Sequence, residues 1–482
     1  MTECAARVNN CSIPTFTFPS VRSRNYPSNL LNKTDDGIVV CIFTDKCAKY
    51  IEETLHIKTI DKEMYFYEGG VYRSGGEDKI RTYISRMFFD EYDIDGESIS
   101  TRKAQNEIIY KLQALTRVKL EDFDKEIDII NLKNGFFNFR TKEFIAHSPS
   151  NQYISMIQHP IEYDPEATCP NIDLIIERLT PNKEHQKALK EWAAYCFYRS
   201  YLLKKALVAY GPTGTGKSIF TELLDNLLGK DNSNYLSLSR LNTGRFDLSG
   251  LKGICRNQCG ETPATEVQAF PNFKGLTGRD EINCDVKHGK PIKFYSFAKL
   301  EMMLNEMFKT KDKTDAFYDR LLIIMFLHKF TDEEKRRDAE LMDFVKDPKE
   351  LSGFFNKCIA LLPALLDRKA FSYNPSAYAI EALFNQLSEP ISEFVDKFVV
   401  QDQDGECVGK DQLYTAFELF SELNKTKADK KEFTKFIKAL DCIKSYRGPR
   451  RNKRYGDRLE IAWPDISFNE EAWNEYGKTF KG

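Results

Sequence analysis

The sequence has no apolar run long enough to cross a membrane and no closely paired cysteines. The longest apolar run, LLIIMFL at 321–327, falls far short of the roughly 18 residues of a spanning helix, and the N-terminus lacks a signal-peptide pattern. Its twelve cysteines form no C-x-x-C pair, and Cys255 and Cys259 have no His or Cys partner at zinc-finger spacing. We therefore expect a soluble cytoplasmic protein with free thiols rather than a zinc site.

The chain also has little net charge, −2 from 70 basic and 72 acidic residues, so it is not a nucleic-acid binder by overall charge. One segment differs: KSYRGPRRNKRYGDR at 444–458 has seven Lys or Arg and one Asp. Such a cluster predicts contact with DNA phosphates, and the alternative is a solvated surface. The candidate DNA-binding residues are Lys444, Arg447, Arg450, Arg451, Lys453 and Arg454.

What the sequence does contain is GPTGTGKS at 211–218, which fits the phosphate-loop pattern G-x-x-x-x-G-K-[ST]. KALVAY before it predicts a buried strand, and IFTELLDNLLG after it predicts an amphipathic helix that ends at Gly229. A glycine-rich loop between strand and helix directs N–H groups at phosphates, so we expect ATP with Mg²⁺. Lys217 should reach the β- and γ-phosphates and Ser218 should bind Mg²⁺. The expected nucleotide-binding residues are Gly211, Pro212, Thr213, Gly214, Thr215, Gly216, Lys217, Ser218 and Phe220.

Four later segments indicate how the protein uses the bound nucleotide. In LKGICRNQCGET at 251–262, Glu261 is the candidate to polarise the attacking water and to help hold Mg²⁺, although Gly260 stands where a first acid is usual. Asn305 ends an apolar strand and is a candidate to orient that water. Arg320 directly precedes LLIIMF and is a candidate arginine finger for a neighbouring subunit.

The fourth segment, INCDVKHGKPIKF at 282–294, predicts a hairpin with Lys287 and His288 at its tip. A loop tip of this composition is usually just solvated. In a ring ATPase it lies in the central pore, where Lys and His contact single-stranded DNA.

The pattern along the chain predicts an α/β protein of five parts. They are an irregular segment at 1–57, an α+β domain at 58–165 with a Gly69-Gly70 hairpin, an ATPase core with a preceding helical collar at 166–335, a helical segment and linker at 336–388, and a C-terminal domain at 389–482. The C-terminal order of helix, helix, strand, basic loop and strand predicts a winged-helix DNA-binding domain. The alternative is a basic hairpin that packs on RNA or on a protein.

Together, FYEGGVYR, INLKNGFFNFRTKEFIAHSP, GPTGTGKS, FKGLTGRD, the KHG tip, MLNE and DRLLIIMF resemble the superfamily 3 helicases of phages, plasmids and mobile islands, which are related to poxvirus primase-helicases. The C-terminal part resembles the origin-binding end of staphylococcal pathogenicity-island replication initiators. The resemblance implies an AAA+ homo-oligomer, expected to be a hexamer, that moves 3′ to 5′ on single-stranded DNA in the cytoplasm of a bacterial host. By the same resemblance Asn305 is the sensor, Arg320 is the finger, and Lys287 and His288 grip DNA.

Other activities stay open at this point. One alternative is a nucleotide-controlled DNA-binding switch without unwinding, and another is an RNA helicase or packaging motor. Asp93 and Asp95 form a D-x-D that could bind metal, as in a primase, but we expect a solvated turn, because only about 60 residues precede the helicase-type N-terminal segment, too few for a polymerase-like domain. A separate primase is therefore an expected partner, besides single-stranded DNA in the pore and duplex origin DNA at the C-terminal domain.

Overall fold

The computed structural model describes residues 26–149, 153–244, 246–260, 271–287, 289–337, 339–401, 408–424, 426, 429–440, 452–455, 458–463 and 466–476. The chain divides into two compact units. The N-terminal unit comprises 1–126, 134–136 and 145–158, and the larger unit comprises 127–133, 137–144 and 159–482. Within the described ranges, no helix has both the length and the apolar character needed to cross a bilayer.

The N-terminal unit packs three helices against short antiparallel strands. Its helices are α1 (Thr44–Leu55), α2 (Gly76–Met87) and α3 (Arg102–Leu115), and its strands are β1 (Leu31–Lys33), β2 (Val39–Ile42), β3 (Lys58–Ile60), β4 (Glu63–Glu68) and β5 (Val71–Arg73). β1 pairs with β2, and β3, β4 and β5 form a second sheet. Strands β6 (Ile129–Asn131), β7 (Gly135–Asn138) and β8 (Phe144–Ala146) follow along the chain.

Residues 28–55, expected to be irregular, are regular instead. Leu31, Val39 and Ile51 are buried in one core with the inner faces of α2 and α3. The first 36 residues are rich in polar residues and proline, and this composition led to the prediction of an irregular segment although apolar residues of the core lie within it. The Gly69-Gly70 hairpin is confirmed, since both glycines have positive φ, 55° and 97°, as a two-residue turn between twisted strands requires.

The larger unit is built on a five-stranded parallel sheet. Its strands are β9 (Ala206–Tyr210), β10 (Ser233–Asn234), β11 (Arg256–Cys259), β14 (Lys299–Leu304) and β15 (Leu321–Met325), in the order β10-β11-β14-β9-β15. All neighbours run parallel. Because both faces are covered, β9 and β14 are buried at every position and have no alternating polar face.

Helices cover both faces of this sheet. They are α4 (Pro170–Leu179), α5 (Lys183–Phe197), α6 (Lys217–Leu228), α7 (Leu238–Thr243), α8 (Pro271–Gly278), α9 (Asp315–Tyr318), α10 (Asp332–Arg337), α11 (Ala339–Asp343), α12 (Pro348–Arg368) and α13 (Ala377–Ser388). Leu207 and Ala209 face a core that includes α5, α6 and α12, whereas Ala206, Val208 and Tyr210 face a core that includes α8 and α13. This alternation fixes which face of the sheet α6 covers. A separate hairpin, β12 (Glu281–Cys284) with β13 (Ile292–Tyr295), is inserted before β14.

The C-terminal part has its own core. Its elements are α14 (Pro390–Phe398), β16 (Val399–Gln401), β17 (Val408–Gly409), α15 (Lys410–Leu423), α16 (Lys430–Ala439), β18 (Asn452–Tyr455), β19 (Arg458–Trp463), β20 (Ile466–Phe468) and α17 (Glu470–Tyr476). β17, β19 and β18 form an antiparallel sheet in that order. Phe394, Phe417 and Phe433 pack together at its centre. The linker expected at the end of 336–388 is instead helical, because α13 extends to Ser388 and Pro390 begins α14 directly after it.

Candidate functional site

The phosphate loop connects β9 to α6, as the sequence predicts. Gly214 and Gly216 both have φ of 86°, a left-handed conformation that residues with a side chain rarely adopt. At Gly211 a Cβ would lie 1.9 Å from the carbonyl oxygen of Phe326, so this position has no room for a side chain. The glycines therefore allow a tight loop against the sheet, with the N-terminus of α6 at its end.

Lys217 and Ser218 open helix α6. The Lys217 side chain is buried, and its ammonium donates to the carbonyl oxygens of Gly211 and, at 2.9 Å, of Pro212. Ser218 is exposed. The loop thus wraps around its own lysine while the serine hydroxyl remains accessible from the cavity.

A cavity of about 590 Å³ lies over the loop at the carboxyl edge of the sheet. Its lining combines the loop and the start of α6 with the ends of β11 and β14, the segment after β15 and helix α11. The residues are Thr213, Gly214, Thr215, Gly216, Lys217, Ser218, Ile219, Thr221, Gln258, Gly260, Met303, Asn305, Phe330, Ala339 and Met342. Because β14 lies between β9 and β11, Asn305 comes between the loop and Gln258. A volume of this size fits a nucleotide.

Three of the expected nucleotide contacts, Gly211, Pro212 and Phe220, do not line this cavity, and Glu261 lies outside the described residues. Phe220 is completely buried and packs on Phe326 in the core beneath the loop, because it is the fourth residue of α6 and faces the sheet. Pro212 lines a neighbouring cavity rather than this one. Among the described lining residues, Ser218 offers an exposed hydroxyl at the second position of α6 that suits Mg²⁺. That set fits a Mg²⁺ ion that arrives on the nucleotide phosphates and keeps several waters.

Arg320 is not part of this cavity lining. It follows α9 and precedes β15, and its Nε donates to Thr277 Oγ1 of α8 at 2.9 Å while its Nη1 donates to the carbonyl oxygen of Ala316. The FKGLTGRD segment therefore supports the arginine. Within one chain, Arg320 lies apart from the phosphate loop.

The hairpin of β12 and β13 is confirmed, and Lys287 near its tip is exposed. His288 lies outside the described residues, as do Lys444, Arg447, Arg450 and Arg451. Lys453 and Arg454 lie on strand β18, which pairs with β19. The described hairpin does not contribute to the lining of the nucleotide cavity.

Sequence reasoning missed a buried ion-pair network beneath the cavity. Arg256 of β11 is 0% exposed, and its Nε donates to Glu301 Oε2 of β14 at 2.7 Å while its Nη1 donates to Asp225 Oδ1 of α6 at 2.9 Å. The second oxygen of Glu301 accepts from Trp192 Nε1 of α5 at 2.6 Å. Burial raises the pKa of Glu301, which the charge of Arg256 opposes; burial disfavours charge on Arg256, yet Glu301 and Asp225 raise its pKa.

The sequence contains a signal for this network, but it is divided between two strands. Arg256 lies inside one core strand, and Glu301 lies 45 residues away inside another. Two opposite charges inside neighbouring core strands indicate a pair, since a lone buried charge is too costly. Nearby, burial lowers the pKa of Lys299 to about 8, and its ammonium donates to the carbonyl oxygens of Tyr198 and Phe297 at 2.7 Å each.

We expect Arg256→Met to lower the free energy of unfolding by about 3–5 kcal/mol, because Glu301 would remain buried without its cation. Urea unfolding followed by circular dichroism measures the change. The matched control is Arg240→Met, which breaks a more exposed pair with Asp247 and should cost less than about 1 kcal/mol. Equal small effects for both variants would contradict a role for the buried pair in stability.

Comparisons with known proteins match two parts of the chain. A family model described as "D5 N terminal like" matches residues 45–181, and one described as a "family of unknown function (DUF5906)" matches residues 209–320. The second match begins in β9 and ends at Arg320, so it covers the loop, Gln258, Asn305 and the hairpin. The chain thus matches the two family models one after the other.

Two of the curated relatives are viral proteins. The chain is 28% identical over 239 residues to "Putative helicase 121R" of Invertebrate iridescent virus 3, and 26% identical over 220 residues to "Putative helicase L207/L206" of Acanthamoeba polyphaga mimivirus. These matches cover 46% and 44% of this chain but 25% and 23% of the relatives, so the chain matches about a quarter of their length. A solved apo structure of the NrS-1 C-terminal region is 12% identical, covers 87% of this chain and 98% of its own, and has a TM-score of 0.41.

Proposed function

We propose that this protein is an ATP-dependent DNA helicase of the superfamily 3 type, with an AAA+ core that moves 3′ to 5′ on single-stranded DNA. The observation that carries the proposal is the cavity in which the phosphate loop faces Asn305 across the edge of the parallel sheet. Lys217 would hold the β- and γ-phosphates, Ser218 would bind Mg²⁺, Asn305 would orient the attacking water and Glu261 would polarise it. The two viral relatives named as helicases support this class.

The position of Arg320 supports a ring. It is held by Thr277 and lies outside its own chain's nucleotide cavity, so a role in hydrolysis requires the cavity of a second subunit. We propose a homo-oligomer, with a hexamer as the expected size, in which Arg320 completes the neighbour's site. Lys287 and His288 on the inserted hairpins would then line the pore and contact DNA phosphates.

We further propose that residues 389–482 form a winged-helix domain that binds duplex origin DNA, which would make the protein a replication initiator of a mobile element or phage. The order α15, α16, β18, β19 and the sheet of β17, β19 and β18 support this proposal. The basic segment that contains Lys444, Arg447, Arg450, Arg451, Lys453 and Arg454 would contact the duplex. A separate primase would make primers, and the bacterial cytoplasm is the proposed location.

Strand displacement tests the motor. We expect ATP-dependent displacement from a duplex with a 3′ single-stranded tail and none from one with a 5′ tail. The pair Lys287→Ala and His288→Ala should keep basal ATP hydrolysis and lose displacement, whereas Lys103→Ala on the exposed start of α3 should change neither. Hydrolysis without displacement on either tail or on a fork would contradict the motor.

One observation favours a second candidate, a nucleotide-controlled DNA-binding switch. A neighbouring cavity of about 560 Å³ is lined by Pro212 and Thr213 of the phosphate loop and by Asp429 and Glu432 at the start of α16. A change in the loop on nucleotide binding would therefore reach α16 of the proposed DNA-binding domain. If strand displacement fails, an affinity of the protein for duplex DNA that changes with ATP would establish the switch.

A further inference from the structure

Gln258 of β11 brings a neutral, polar side chain into the lining of the nucleotide cavity. It lies on β11 two residues after Arg256, so both side chains are on the same face of the sheet. Arg256 contacts the carbonyl oxygen of Thr221, 3.4 Å away on α6. Two residues along a strand advance about 6–7 Å toward its carboxyl end, which brings Gln258 level with the first turn of α6. Its place beside Ser218 and Asn305 in the cavity lining agrees with this.

The neighbour of Gln258 fixes which end of its amide faces the cavity. Arg256 Nη2 donates to Gln258 Oε1 at 3.3 Å. A guanidinium has donors and no acceptor, so the amide oxygen must face Arg256. The amide nitrogen, with its two N–H groups, is then directed away from the guanidinium. A group that presents N–H donors binds an anionic oxygen and does not bind Mg²⁺.

Arg256 is held rigidly enough to orient this amide. Its guanidinium is completely buried and is fixed on separate elements by Glu301 of β14 and Asp225 of α6. Donors that are positioned before the ligand arrives need no reorganisation when it binds. The network beneath the cavity therefore has a role at the site as well as in the core.

Resting on the proposed nucleotide site, we propose that Gln258 donates a hydrogen bond to the terminal phosphate of a bound nucleoside triphosphate, with Arg256 as its positioning residue. Gln258 then distinguishes a triphosphate from a diphosphate, since the diphosphate lacks the oxygens it contacts. This function belongs to a neutral donor and is separate from that of Glu261, which is proposed to act on the water.

Equilibrium binding of ADP and of β,γ-imido-ATP, each with Mg²⁺, tests this assignment without turnover. We expect Gln258→Leu to bind β,γ-imido-ATP about 10- to 100-fold more weakly, the loss of one hydrogen bond to a charged group, and to bind ADP as the unaltered protein does. Arg256→Lys keeps the positive charge but loses the planar guanidinium and its several N–H donors. It should weaken the binding of β,γ-imido-ATP and leave the binding of ADP unchanged. Gln113→Leu in the N-terminal unit is the matched control and should change neither affinity.

Two results would overturn the assignment: unchanged affinity for both nucleotides in Gln258→Leu, or an equal loss for both. The thermal midpoint of Arg256→Lys shows whether this variant folds. If it does not fold, Gln258→Leu alone still tests the assignment. Failure of the proposed function has a different signature. An unaltered protein that shows this triphosphate selectivity but displaces no strand would contradict the helicase and leave the role of Gln258 supported.

Discussion

Replacing Arg320 with alanine should slow ATP hydrolysis by about 10³- to 10⁵-fold while leaving nucleotide affinity close to that of the unaltered protein. The reason is that a finger arginine stabilises charge that develops on the phosphoryl group in transit, whereas the bound nucleotide is held by the loop. In the structure Arg320 contacts Thr277 and Ala316 and does not line its own cavity. The loss should therefore appear in kcat rather than in binding, as steady-state hydrolysis and equilibrium binding would measure.

Mixing experiments give the sharper form of this prediction. Because the arginine would act on the neighbour's nucleotide, rings assembled from unaltered and Arg320→Ala chains should lose more activity than the fraction of variant chains. Arg102→Ala, an exposed arginine at the start of α3, is the control and should not poison mixed rings. Activity that falls only in proportion to the variant fraction would argue for an action within one chain.

Lys217→Ala should reduce ATP turnover by at least about 10²- to 10³-fold, the cost of losing one preorganised donor at the phosphates. The ammonium is buried in the loop and already donates to two loop carbonyl oxygens, so alanine removes both the charge and the group around which the loop closes. Lys217→Arg should not restore turnover, because the planar guanidinium does not replace a compact ammonium there. Phosphate release under saturating ATP measures the effect.

A lysine at the opposite end of the same helix provides the control for Lys217. Lys230 lies just past the end of α6 and is exposed, and Lys230→Ala should leave turnover within about twofold, as surface substitutions usually do. Circular dichroism should give the same helical content for both variants. Turnover in Lys217→Ala near that of Lys230→Ala would refute the assignment of the phosphate loop.

The parts of the site that are local in sequence could be predicted. β9, the loop and α6 follow one another within 25 residues, and their signals, a buried run, paired glycines and a C-terminal Gly229, each act on the neighbouring backbone. The same is true of the Gly69-Gly70 turn and of the β12–β13 hairpin. These predictions are confirmed because short-range geometry decides them.

The parts that depend on distant partners could not be predicted. Nothing near Arg256 in the sequence shows that Glu301 and Asp225 complete its environment. Phe220 looked like a nucleotide contact because it is close to the loop in sequence, but the phase of the helix turns it into the core. Residues 28–55 look irregular in the sequence because their few apolar residues form a core only when they pack against α2 and α3.

The buried network also constrains how this sequence can change over time. Arg256 forms ion pairs with both Glu301 and Asp225. The effect of a substitution at one of the three positions therefore depends on which residues occupy the other two. A lineage that lost Arg256 first would pass through an unstable intermediate, while one that lost both buried charges together would not. The three positions should therefore change together during evolution, and Gln258 should change with them because it accepts a hydrogen bond from Arg256. Libraries of random single substitutions should contain almost no tolerated change at Arg256.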